Sequence, residues 1–130
     1  MINSASEFMA LCDSKNESDI ARSLRDEAPL GVWEELISNF QSRQIDVAQN
    51  RTISVVVMRL LAIHGDEIVR SILAEKRKLS LDIFELLSKD SSSLVRRKIA
   101  ANKKTPLGIV ENLANDEDED VARVAKFRLK

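Results

Sequence analysis

Ile83-Phe84-Glu85-Leu86-Leu87-Ser88-Lys89-Asp90-Ser91-Ser92-Ser93-Leu94-Val95-Arg96 decides the fold, because a likeness of it lies on either side at a displacement of 26 residues. One period upstream, Val57, Met58, Leu60, Leu61, Val69 and Arg70 hold the corresponding places, and one period downstream Ile109, Val110, Asn112, Leu113, Val121 and Ala122 hold them. No gap is needed across the three copies. A self-similar period of roughly 20–50 residues marks a stacked architecture that presents an extended surface and not a deep catalytic cleft. The period therefore predicts a binding protein.

Each copy reads as two short amphipathic helices separated by polar residues. In the middle copy Ser80 is placed to cap a helix whose Ile83, Phe84, Leu86 and Leu87 recur at three-and-four spacing. Asp90 and Ser91-Ser92-Ser93 interrupt it. The second helix puts Leu94, Val95, Ile99 and Ala100 on a buried stripe and is expected to leave Arg96, Arg97 and Lys98 wet. In the last copy Thr105 is expected as N-cap, with Pro106 in the first turn, where a missing N–H costs nothing. The closing helix carries Val121, Val124, Ala125 and Leu129.

The amino-terminal third follows the same logic with weaker periodicity. Pro29 and Leu30 open a segment carrying Val32, Trp33, Leu36 and Ile37, answered by Ile45, Val47 and Ala48. Ahead of it, Ser4 with Glu7 reads as a capping box for a helix holding Phe8, Met9 and Leu11, and Ile20 with Leu24 marks another. These two helices are expected to cap a stack, since a terminal unit faces water on one side and departs from consensus. The expected organisation is one domain: capping helices over 1–28, a degenerate repeat over 29–52, and repeats over 53–78, 79–104 and 105–130.

Val47-Ala48-Gln49-Asn50, Val69-Arg70, Val95-Arg96, Ile99-Ala100-Ala101-Asn102, Thr105-Pro106 and Leu113-Ala114-Asn115-Asp116 together resemble the HEAT-like and leucine-rich-variant repeat families, over roughly residues 30 to 130. In those families the Val-Arg pair opens the second helix and Ala-x-Asn closes it. Here Ala74-Glu75-Lys76 lacks the Asn and Val121-Ala122 lacks the Arg. The resemblance implies an all-α, right-handed α-solenoid of stacked helix pairs, some of whose helices are of the tighter 3₁₀ kind. One member of the leucine-rich-variant family carries an iron-sulfur module ahead of its repeats, which the single cysteine of this chain could not ligate. No cofactor is expected.

Composition agrees with a small helical domain: 44% apolar and 32% charged residues, with three Gly and two Pro, lie far from disordered or collagen-like chains. The longest apolar runs, such as Val55 to Met58, fall well short of the roughly 20 residues that a membrane span needs. The first residues lack the basic region and apolar stretch of a signal peptide, so the expected compartment is the cytoplasm. The lone Cys12 cannot form an internal disulfide, which fits a reducing compartment.

Charge is uneven. Residues 1–40 hold 3 basic and 8 acidic side chains, residues 41–104 hold 13 and 7, and residues 105–130 hold 4 and 6. Arg51, then Lys76, Arg77 and Lys78, then Lys103 and Lys104 occupy the turns that leave successive second helices, and stacking would align them in a ridge. Arg70, Arg96 and Arg97, near the starts of the second helices, would form a neighbouring row. Such a field steers an acidic partner. The plainer alternative is a solvated rim, as charge runs commonly are.

No other constellation carries chemistry. Asp116-Glu117-Asp118-Glu119-Asp120 lacks the glycine turn and distal glutamate of a calcium loop, and acidic residues ahead of a helix stabilise its N-terminus. No metal site is expected. His64, the one histidine, shares its slot with Asp90 and Asp116 and reads as an inter-helix residue without an orienting partner. Ala10-Leu11-Cys12-Asp13-Ser14 matches no catalytic signature, which favours a structural thiol. Trp33 reads as core, with an interface anchor as the alternative.

A non-catalytic, monomeric module that docks an acidic or mixed-charge protein is the leading expectation. Small free-standing proteins of this look resemble bacterial immunity proteins, including those of contact-dependent growth inhibition, which occlude a cognate toxin domain. The alternative is nucleic-acid binding along the basic ridge, as in HEAT-like DNA glycosylases; a pI near 5.9 and the lack of tyrosine count against it. Adaptor function or self-association through an open end of the stack is the third.

Overall fold

Ser4 starts the first helix as its sequence predicts, in a computed structural model that describes residues 1–130. Its hydroxyl accepts from Glu7 N at 3.0 Å, while the Glu7 carboxylate accepts from Asn3 N at 3.1 Å, one residue upstream of the usual capping-box donor. The chain is all-helical, with ten α-helices, one short 3₁₀ segment and no strand. It divides into two compact units, Met1–Gly65 and Asp66–Lys130.

The first unit holds α1 (Ala5–Asp13), α2 (Glu17–Arg25), α3 (Leu30–Asn39), the 3₁₀ segment Gln41–Arg43, α4 (Gln44–Gln49) and α5 (Val55–His64). Helix α1 packs on α2 and α3, and α3 packs on α4 and α5. Trp33 is buried edge-on against Phe8, with ring centroids 5.1 Å apart and planes at 83°, so its role is in the core. Leu36, Val47, Val57 and Leu61 complete that core.

The second unit holds α6 (Glu67–Leu73), α7 (Leu81–Ser88), α8 (Ser93–Ala101), α9 (Leu107–Leu113) and α10 (Glu119–Arg128). Helix α8 is its centre, touching α6, α7, α9 and α10. Its buried Val95, Ile99 and Ala100 meet Leu73, Ile83, Leu87, Ile109, Val121 and Ala125 in one core, the inward stripe that three-and-four spacing predicts, except that Leu86 turns outward and Leu94 is only half-buried. The boundary between the units falls between the two helices expected for the 53–78 repeat.

Two cap assignments shift. Thr105 is not the N-cap of α9: Pro106 takes that place, with ψ at 142°, and the buried Thr105 hydroxyl donates to Ile99 O at 2.6 Å. That carbonyl belongs to the last turn of α8, where intrahelical donors run out, and a buried hydroxyl satisfies it better than it could serve as a cap. Pro29 starts α3 in the same conformation, so Pro-Leu-Gly opens both helices in one way. Ser80 does stand at the N-cap of α7, but its hydroxyl donates to the Asp82 carboxylate instead of capping the backbone.

Candidate protein-binding surface

The basic residues separate into those the fold consumes and those it leaves to solvent. Arg96, expected on the wet face, is buried: its Nε and Nη2 donate to the two carboxylate oxygens of Asp116 at 2.9 and 3.2 Å, and its Nη1 donates to Asp90 O at 2.8 Å. One period earlier Arg70 grips Asp90 in the same two-pronged way, at 2.7 and 3.1 Å. Asp90 and Asp116 lie in the turns that follow α7 and α9, so each arginine ties a second helix to the inter-helix turn of the following copy. Such paired bonds fix both position and angle. The arginine row expected to meet a partner is therefore, for Arg70 and Arg96, an internal brace; Arg97 alone of that row is exposed.

These pairs are electrostatically firm. Hydrogen bonds donated to Asp90 and Asp116 hold the two guanidinium groups even more strongly protonated than usual. Burial pushes the Asp116 carboxyl up, but the Arg96 hydrogen bonds, the Asp118 N–H and the Arg96 charge outweigh it and keep its pKa below the ordinary carboxylate range. Asp118 in turn caps α10, accepting from Asp120 N at 2.9 Å and Val121 N at 3.1 Å. The acidic run thus supplies one brace and one cap.

A second set of ties shapes the turns that carry the lysines. Asn102 is buried, and its Nδ2 donates to Ala74 O at 2.9 Å and Lys76 O at 2.8 Å, while its Oδ1 accepts from Lys104 N at 2.9 Å. Asn50 does the same work in the first unit, donating to Ser23 O and Asp26 O at 2.9 and 3.0 Å and accepting from Thr52 N at 2.8 Å. In the last copy Arg128 takes the slot and donates to Ala100 O at 3.2 Å and Asn102 O at 2.6 Å. The asparagine that closes each Ala-x-Asn sequence is a clamp on two free carbonyls.

Clamping leaves the junction side chains outward. Arg77, Lys78, Lys103 and Lys104 are exposed, and Lys76 is half-buried. Arg77 and Lys103 line one open cavity of about 330 Å³ with Glu75, Lys98 and Ala101, and Lys98 is held there by Glu75 at 2.8 Å. Arg51 is exposed in the first unit, at the matching turn after Asn50. The structure therefore brings Arg77 and Lys103 together and leaves Arg97 in a separate, smaller cleft beside Asp118 and Asp120.

Sequence reading missed the apolar half of this surface. Leu81 and Leu107, the first residues of α7 and α9, are 57% and 65% exposed, and each lies four residues beyond the outward cation Arg77 or Lys103. Val55 holds the same slot in the first unit and is exposed as well. Three aliphatic residues displaced by 26 at a position outside the core stripe were the available signal.

The remaining reactive groups are quiet. Cys12 is half-buried, and burial, followed by the charge of Asp46, pushes its thiol up to about 11, so it stays protonated near neutral pH. His64 is the exposed last residue of α5. No helix is long and apolar enough to cross a membrane. Compared with known proteins, the chain finds no match among family models, curated proteins or solved structures.

Proposed function

We propose that this chain is a non-catalytic protein-binding module whose docking surface is made of its repeat junctions, and that the partner is an acidic or mixed-charge protein. The observation that carries this reading is the exposed cation followed four residues later by an exposed leucine, at Arg77 and Leu81 and again at Lys103 and Leu107. Cations orient an approaching acidic surface, and leucines released from water on contact supply affinity. A small protein with such a surface fits occlusion of another protein's working face, as a bacterial immunity protein does to its toxin domain in the cytoplasm. The finer architecture belongs to the same proposal: right-handed α-solenoid packing of HEAT-like or leucine-rich-variant units of about 26 residues, supported by ties that recur at that period.

Affinity capture at low salt with the purified chain as bait tests it, comparing wild type with Arg77→Glu/Lys103→Glu and with Leu81→Ser/Leu107→Ser. Wild type is expected to hold one stoichiometric protein that both variants release. Retention of that protein by both variants removes the junctions from the proposal. Recovery of nucleic acid, with affinity that falls steeply as salt rises, moves the assignment to phosphate binding.

A further inference from the structure

Helix α10 carries a second stripe that, apart from the buried Ala122, the core of its unit does not use. Glu119, Ala122, Arg123, Lys126, Phe127 and Lys130 fall at i, i+3, i+4, i+7, i+8 and i+11, one continuous stripe running off the helix end. With Ala114 at the end of α9 they line an open cavity of about 690 Å³. Phe127, at 74%, is the most exposed large apolar side chain of the chain.

One period upstream the same stripe belongs to α8, where Arg96 and Ala100 are buried and α10 packs on the helix. On α10 those slots become Ala122 and Lys126, and Ala101 becomes Phe127. The arginine that would seek the aspartate of a following copy is gone, and a large aromatic is added. The stripe on α10 therefore differs in chemistry from its counterpart on α8.

Its charge order identifies what it does fit. Glu119 stands at one end and Lys126 and Lys130 at the other, and none of the three has an ion-pair partner within the chain. Arg123, in the middle, is neutralised by Asp120 on its own helix. A stripe acidic at one end and basic at the other is complementary to itself turned end for end.

We propose that a second copy of this chain docks on this face, with α10 antiparallel to α10 about a two-fold axis beside Ala122 and Arg123. Glu119 of each copy then meets Lys126 of the other, and Phe127 covers the start of the partner helix and the cavity wall at Ala114. An isologous contact of this kind closes at the dimer and does not propagate. It uses no junction residue, so it stands or falls apart from the docking surface proposed above, and it replaces the monomer that sequence alone led us to expect.

Sedimentation equilibrium of the full chain from micromolar to millimolar concentration tests the pairing, with helix content followed by circular dichroism. Wild type is expected to show a reversible monomer–dimer equilibrium. Lys126→Glu and Glu119→Lys each place like charges at two symmetric contacts and are expected to weaken the dimer by about tenfold or more. Glu119→Lys/Lys126→Glu restores opposite charges and is expected to recover dimerisation. Should a charge variant lose helix content, Phe127→Ala carries the test and must also weaken the dimer. A wild type that stays monomeric, a dimer indifferent to these substitutions, a double variant as weak as the singles, or growth beyond the dimer overturns the proposal.

Discussion

Arg96 and Asp116 show how far a residue's role depends on its neighbours. Both side chains are nearly buried, so removing the arginine leaves a carboxylate stranded away from water. Arg96→Met is expected to cost about 3 kcal/mol in urea unfolding, several times the effect of an exposed arginine such as Arg97. The same pair sets an acid limit. Because the folded Asp116 pKa lies below its ordinary 3.8, its contribution is fully present above that value and is lost as pH falls through the lower folded value. Unfolding midpoints measured downward from pH 5 should fall less steeply in Asp116→Asn than in wild type. Asn102 makes the complementary point for a neutral group. Asn102→Ala frees two buried carbonyls and should cost about 2 kcal/mol, whereas Asn102→Asp, which has no N–H to offer them, should cost more.

At the scale of the helix, the start signals divide into those that act and those that only look the part. Asp118 accepts from two backbone N–H groups and caps α10, so Asp118→Ala should lower stability by about 1 kcal/mol. Ser80 stands in the equivalent place on α7 but bonds Asp82, and Ser80→Ala should change the urea midpoint by less than the equivalent of about 0.5 kcal/mol. The glycines of the two Pro-Leu-Gly openings are open to improvement. A Cβ at Gly31 or Gly108 meets nothing within 4 Å, so alanine at either should stabilise by about 0.5 kcal/mol through lower unfolded-state entropy, read as a higher thermal midpoint.

Over the whole molecule, cations with opposite fates predict different responses to salt. Arg77, Lys78, Lys103 and Lys104 face solvent, where ions screen them, while the Arg70 and Arg96 pairs are largely withdrawn from it. On the docking proposed above, raising salt should weaken capture through the junctions and leave the urea midpoint nearly unchanged. A midpoint that tracks capture would mean that the surface cations, and not the buried pairs, carry the electrostatics of folding.

The 26-residue period, the helical character, the inward stripes of α7 to α10 and the cores around Trp33 and Leu87 were legible in the sequence, because apolar spacing along a helix is a one-dimensional property that packing must obey. The columns Arg70/Arg96 and Asp90/Asp116 were legible too, but not that they meet. Partners 20 residues apart touch only when the angle and separation of three successive helices bring them together, which no periodicity encodes. For the same reason only the tertiary structure decided which cations remain exposed, that Asn102 serves carbonyls in the preceding turn, that Leu81 and Leu107 stand outside the core, and that the chain divides at Gly65 and Asp66. Sequence determined which residues repeat; packing determined which of those repeats are consumed in holding the fold and which are left for contact.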